Sequence, residues 1–182
     1  MTRNRWQKDP EAVREAERVF KFIGQYVVRF QWIEGKINEV FLLIRGHDKR
    51  EKTFAWLSQQ TNEKKIDALL GIIVDEDYFA PISVDDWETH VQNVAIRLHA
   101  ERRRRNGILH AQFLFDFLAI DAPIIRTDIR RTSKGVVFES ENLTPARCEQ
   151  TNEEVARLSF DLNLICVQLR NAYQVKPSTA DP

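Results

Sequence analysis

Trp87-Glu-Thr-His-Val-Gln-Asn-Val-Ala-Ile-Arg-Leu-His-Ala-Glu-Arg-Arg-Arg-Arg-Asn-Gly-Ile-Leu-His110 carries two patterns at once. Trp87, Val91, Val94 and Leu98 recur at steps of three and four, which is one apolar face of a helix. Continued by the same steps, that face reaches Arg102 and Arg105, so it passes from apolar to guanidinium. The last ten residues hold four arginines, an Asn-Gly and a histidine. Beyond His110 the pattern turns strand-like. A helical chain interrupted by a strand insertion is therefore expected.

Toward the N-terminus the helical reading continues. Asp9-Pro10-Glu11 is a helix start, with Asp as N-cap, Pro in the first turn and an acid at the positive end of the dipole. Val13, Ala16, Phe20, Ile23, Val27 and Phe30 form an amphipathic stripe. The spacing predicts one long helix to about residue 44, or two helices meeting near Gly24. Arg45-Gly46-His47-Asp48 ends it. Continued past Phe30, the stripe runs through Glu34 to Ile37, Phe41 and Ile44, so Glu34 is expected on the core face. Either it pairs at the stripe edge with Arg29 or Lys36, or it is an acid orienting a member of the arginine stretch. A short helix is expected over 52–59. Thr61-Asn62-Glu63-Lys64 caps another that carries Ile66, Leu69, Leu70, Ile72 and Ile73 to about residue 76. Phe79-Ala80-Pro81 is a break, and Ser83-Val-Asp-Asp86 resembles a capping box.

Toward the C-terminus, Gln112-Phe-Leu-Phe-Asp-Phe-Leu-Ala-Ile alternates roughly like a strand. Ile124-Ile-Arg-Thr-Asp-Ile-Arg-Arg-Thr and Gly135-Val-Val-Phe-Glu-Ser-Glu then flank Ser133-Lys-Gly135. Alternation, branched residues and a glycine turn predict a β-hairpin, inserted over about 111–141. Leu143-Thr-Pro145 opens the last helix, and Thr151-Asn-Glu-Glu offers a second cap. Val155, Leu158, Leu162, Ile165 and Leu169 make its stripe, which Phe160, Leu164 and Val167 widen. A helix apolar on more than one side belongs in a bundle centre or at a dimer contact. Residues 175–182 are a polar tail. No linker divides the chain. The expected architecture is a single domain, 1–182: an all-α, four- to five-helix up-and-down bundle with one inserted β-hairpin.

Composition narrows the function classes. The chain has 182 residues, with Lys plus Arg and Asp plus Glu at 27 each, so any nucleic-acid affinity must come from a local patch. No apolar run is long enough for a membrane span, and the N-terminus lacks the apolar core of a signal peptide. Cys148 and Cys166 make neither a disulfide framework nor a metal site, and a cytoplasmic location with both thiols reduced is expected. His47, His90, His99 and His110 show no zinc spacing, and there is no glycine-rich phosphate loop and no Gly-x-Ser-x-Gly. No cofactor and no metal are expected.

The arginine-asparagine-histidine stretch suits phosphodiester chemistry. RNA carries its own nucleophile, the 2′-hydroxyl. An imidazole can take its proton or protonate the leaving 5′-oxygen. A guanidinium can hold the scissile phosphate with two parallel hydrogen bonds and offset its developing charge. Asparagine adds a neutral hydrogen-bonding group. On a continuing helix Asn106 and His110 share a face, while Arg105 lies about 140° away from His110. Arg105 would join them through its length or through a bend at Asn106-Gly107. One chain offers one such histidine, and two proton carriers would require a dimer.

Arg105-Asn106-Gly-Ile-Leu-His110 resembles the signature of HEPN domains, an Arg, commonly followed by Asn, Asp or His, with a His after four to six intervening residues. Phe30-Gln-Trp-Ile-Glu34, the Lys-Ile-Asp-Ala-Leu-Leu segment from Lys65 to Leu70, the strand-like insertion after His110 and the Leu-Thr-Pro entry are similar too. The resemblance covers most of Val13 to Tyr173. It implies a helical bundle that dimerises so that two Arg/His motifs meet in a cleft. It also implies a metal-independent endoribonuclease of a toxin–antitoxin or antiviral-defence system, with an antitoxin or defence partner. On that analogy His110 is the acid/base, Arg105 the phosphate holder, Asn106 the polar assistant and Glu34 an orienting acid. Arg102, Arg103 and Arg104 would bind RNA phosphates. Arg103 and Arg104 also fit the motif spacing, and the Asn that follows favours Arg105. Some members carry a modifiable Tyr two or three residues after the His; here those positions are Gln112 and Phe113. The alternative expectation is a non-catalytic dimeric module that binds RNA or a partner protein. A plain helical adaptor, its basic patch against an acidic partner, is a third reading.

Overall fold

The computed structural model describes residues 5–73, 86–132 and 135–174. Within them the chain is predominantly α-helical with a small antiparallel sheet. The helices are α1 (Pro10–Arg45), α2 (Arg50–Gln59), α3 (Asn62–Ile73), α4 (Trp87–Leu109) and α5 (Pro145–Gln174). The strands β1 (Gln112–Leu114), β2 (Ile125–Thr132) and β3 (Gly135–Asn142) pair in that order. Among the described residues no helix is long and apolar enough to cross a membrane. The break at Phe79-Ala80-Pro81, residues 83–85 of the capping box, the Ser133-Lys134 turn and the 175–182 tail lie outside the described residues.

Local chemistry sets the helix starts. The Asp9 carboxylate accepts from the Glu11 amide at 2.9 Å, ahead of Pro10. Thr61 Oγ1 accepts from the Lys64 amide and Thr144 Oγ1 from the Arg147 amide, each at 3.3 Å. These bonds satisfy amides that a helix's first turn otherwise leaves without partners. Thr151, read as a second cap, instead lies buried inside α5.

α1 is one helix of 36 residues with no break at Gly24. Its buried face differs by one residue from the stripe read in the sequence. Ala12, Val19, Tyr26, Ile33 and Val40 are buried seven apart, interleaved with Ala16, Phe30, Ile37 and Ile44. This is a heptad seam, the pattern of helices packed lengthwise. Phe20 is exposed, and Glu34 flanks the seam half-buried, because Ile33 takes the core position. α5 carries the expected stripe, extended backward through Thr151 and Cys148 in alternating steps of three and four. Phe160, Leu164 and Val167 lie exposed on another side, so they are not part of the core.

A Cβ built on Gly24 or Gly35 would meet nothing within 4 Å. Glycine in a helix interior costs roughly 0.5–1 kcal/mol relative to alanine. Gly24→Ala and Gly35→Ala are each expected to raise unfolding stability by about that amount, measured by urea denaturation.

The chain divides into two compact units. The first comprises residues Met1–Arg29 and Arg103–Val155. It contains the start of α1, the last turns of α4, the whole sheet and the start of α5. Arg18 donates to the Leu143 carbonyl at 2.5 Å, and Arg29 to that of Asn152 at 2.8 Å. Trp6 stacks against Phe115 and Phe20 packs against it at a tilt, with ring centroids 5.8 Å and 5.0 Å apart. The expected strand over 112–120 therefore stops at Leu114, and Phe115–Ile120 winds into a 3₁₀ turn that delivers Phe115 to those rings. The hairpin register pairs Ile129 with Phe138 and Ile125 with Asn142.

The second unit comprises Phe30–Arg102 and Ala156–Pro182. Its core holds Ile33, Phe41, Leu69, Leu98, Leu162 and Ile165. Arg97 bridges α4 to Asp161 of α5 at 2.5 Å. Lys65 is buried and donates to Asn38 Oδ1 at 2.9 Å. Burial holds its ammonium below the ordinary lysine range, and the charge of Glu34 works against that shift.

Candidate functional site

α4 runs through Asn106-Gly107 to Leu109, so the anticipated bend there does not occur. Ile108 anchors this last turn in the core of the first unit. Gly107 faces the sheet, and a Cβ at this position would sit 3.5 Å from Arg126 Nη1 of β2. The His110 amide donates to the Asn106 carbonyl at 3.0 Å, which completes the helical turn. Asn106 and His110 thus follow one helical step, as the spacing required.

Within this unit the motif side chains have distinct surroundings. Arg105 Nη1 donates to Asn106 Oδ1 at 3.1 Å, and both residues are half-buried. The asparagine oxygen is thereby engaged as an acceptor, and the donors that remain on this side chain are its amide N–H groups. His110 is exposed, and its imidazole makes no hydrogen bond or ion pair among the described residues. Arg103 is exposed. Arg104 pairs with Glu154 at 2.6 Å and lines a small cavity with Arg126, Glu141 and Arg147. Glu141 receives Arg126 at 2.9 Å and Arg147 at 2.6 Å. Sequence reasoning missed this network because its members lie on β2, β3 and α5, and only the fold assembles them.

Two expected site residues belong to the second unit. Arg102 pairs with Glu63 of α3 at 2.7 Å. The Glu34 carboxylate accepts from the Asn62 side-chain amide. Extending the α4 face by four placed Arg102 inward, but the residue buried there is Glu101, three beyond Leu98. Both steps are helical, and packing selects the step of three. Arg102 keeps a half-buried guanidinium at the edge.

A bidentate phosphate would have to displace Glu63 from Arg102 and Glu154 from Arg104, whereas Arg103 needs no such exchange. The Arg104 pair also makes stability depend on pH. Burial pushes the Glu154 carboxyl up, but the Arg104 guanidinium and the Gln150 amide outweigh it and hold it below the ordinary glutamate range. A carboxyl depressed in the folded state stabilises above its unfolded pKa and loses that contribution as pH falls through the folded value. Glu154→Gln is therefore expected to destabilise at pH 7, with the difference from wild type shrinking below about pH 4. Urea midpoints at pH 7 and pH 3 measure it.

The two thiols show no sign of a nucleophilic role. Burial pushes up the Cys148 thiol, with Arg18 opposing, and pushes the Cys166 thiol to about 11. Among the described residues no group of three or more His, Cys, Asp or Glu is close enough to hold a metal ion. Comparison with protein-family models, with curated proteins and with solved structures finds no match for this chain.

Proposed function

We propose that this chain is one half of a metal-independent endoribonuclease of the HEPN type, a helical bundle whose α4 end faces its counterpart in a second copy. The observation that carries this is the last turn of α4. There an Arg105–Asn106 pair is hydrogen-bonded and His110 stands exposed one helical step from Asn106. Leu109 beside it is an exposed apolar side chain at 38% accessibility, suited to a covered position in a dimer.

In this reading the guanidinium of Arg105 holds the scissile phosphate and Asn106 donates to one of its oxygens. One His110 removes the proton of the 2′-hydroxyl. The 2′-oxygen bonds to phosphorus, the bond to the 5′-oxygen breaks, and the second copy's His110 protonates that leaving oxygen. The products are a 2′,3′-cyclic phosphate and a 5′-hydroxyl end. A cytoplasmic setting with an antitoxin or defence-system partner fits such an activity, which would otherwise damage its host.

The ion pairs on Arg102 and Arg104 favour a second reading, a non-catalytic dimeric module that binds RNA or a protein. Purified wild type incubated with single-stranded RNA in excess chelator decides between them. Fragments ending in cyclic phosphate support the nuclease, and RNA retained without fragments supports the module.

A further inference from the structure

The second unit contains an open pocket of about 510 Å³ at the C-terminal end of α1, within the range of small-ligand sites. Leu42, Leu43 and Ile44 supply an apolar floor, and Arg45, Arg50 and Arg170 supply guanidinium groups around it.

Two of these arginines are unlike the others that hold carboxylates. Arg18, Arg97, Arg102, Arg104, Arg126 and Arg147 are each in an ion pair or hydrogen bond with an acid. Arg45 instead lies 4.3 Å over the Trp56 ring, and Arg50 lies 5.5 Å over Phe54. Neither has a carboxylate partner among the described residues. A guanidinium stacked on a ring is held in place while its N–H edge stays free for an anion. Arg170 is bonded to Glu39, which also receives Lys36 at 2.9 Å. Asp48 does not line the pocket, although its Oδ1 is 2.9 Å from where a Cβ on Gly46 would lie. The lining thus carries three guanidinium groups against the single carboxylate of Glu39, with His47 beside them.

We propose that this pocket binds an amphipathic phosphate monoester. Its dianionic head would sit between Arg45, Arg50 and Arg170, and its alkyl or flat apolar body would lie on Leu42, Leu43 and Ile44. The cation excess matches a head of charge about −2 better than a carboxylate of −1. Fork-shaped donors match phosphate oxygens pairwise. The floor asks for an apolar body that inorganic phosphate lacks. None of these residues belongs to the 105–110 stretch, so the pocket stands or falls independently of RNA cleavage.

Isothermal titration of the full chain with octyl phosphate tests this. Wild type should bind it more tightly than about 1 mM. Arg50→Glu should bind at least about 10-fold more weakly with an unchanged melting curve, since an acid at the first turn of α2 suits the helix dipole. Arg50→Gln provides the same comparison should the reversed charge disturb folding. Octanol, inorganic phosphate and decanoate should each bind at least 10-fold more weakly than octyl phosphate. Absence of octyl phosphate binding at 1 mM overturns the proposal. So does equal affinity in both Arg50 variants, or equal affinity for any of the three controls. Flotation with phosphatidic acid vesicles, without binding of soluble octyl phosphate, would assign the arginines to a membrane surface and overturn it too.

Discussion

His110→Ala is expected to lower the rate of RNA cleavage by at least about 100-fold, the scale on which a positioned general acid or base contributes. The side chain is exposed and makes no bond or ion pair among the described residues, so its removal should leave the melting temperature unchanged. That separates a chemical role from a structural one. Arg105→Lys is the companion variant. It keeps the positive charge but loses the planar fork and the bond to Asn106 Oδ1, so it should cut more slowly than wild type. The readout is single-turnover cleavage of a labelled single-stranded RNA in chelator, with the product ends identified. Undiminished cutting by His110→Ala would sink the assignment of the site. No cutting by wild type, with RNA still bound, would leave the binding module.

Leu162→Ala should cost roughly 2–5 kcal/mol of unfolding free energy, a large part of what a domain of this size has in reserve. Leu162 is 0% exposed and sits in the middle of the α5 seam. The loss combines lost burial with the cavity left among side chains that relax only partly. Phe160, two residues earlier, makes the contrast at 62% exposed. Phe160→Ala should change the stability of the monomer by no more than about 0.5 kcal/mol. With Leu164 and Val167 it forms an apolar strip outside the core of the second unit, a surface suited to cover by a second copy. Phe160→Glu is then expected to weaken dimerisation at least about 10-fold in sedimentation equilibrium. A wild type that stays monomeric at micromolar concentration would refute the dimer, whatever Leu162→Ala does.

The helices were readable where their signals are local. Asp9, Thr61 and Thr144 cap because a short oxygen-bearing side chain before a helix can reach amides two or three residues on, and no distant residue takes part. The α5 stripe was readable because its large aliphatic residues recur in unbroken steps of three and four from Val155 to Leu169. The hairpin followed from alternation around a glycine turn. α1 was harder. Val13, Phe20 and Val27 form one seven-residue series and Ala12, Val19, Tyr26 and Ile33 another, one position away. Hydrophobicity favours the first as far as Val27, and its next member is Glu34. Packing chose the second, which buries Ile33 and leaves Glu34 at the flank.

The Arg-Asn-x-x-x-His spacing and its place at a helix end could be taken from the sequence alone, since four residues along a helix return to one face. So could the helical class of the chain and the position of its strand insertion. Tertiary structure decided which neighbours those residues have. It buried Glu101 where the periodicity pointed to Arg102, and it gave Glu63 to Arg102 and Glu154 to Arg104. It engaged Arg105 with Asn106 and left His110 exposed. Periodicity reports the direction of a side chain to within a helical step, but an ion pair or a core position depends on which element fills the space opposite, and that element can lie dozens of residues away in the chain.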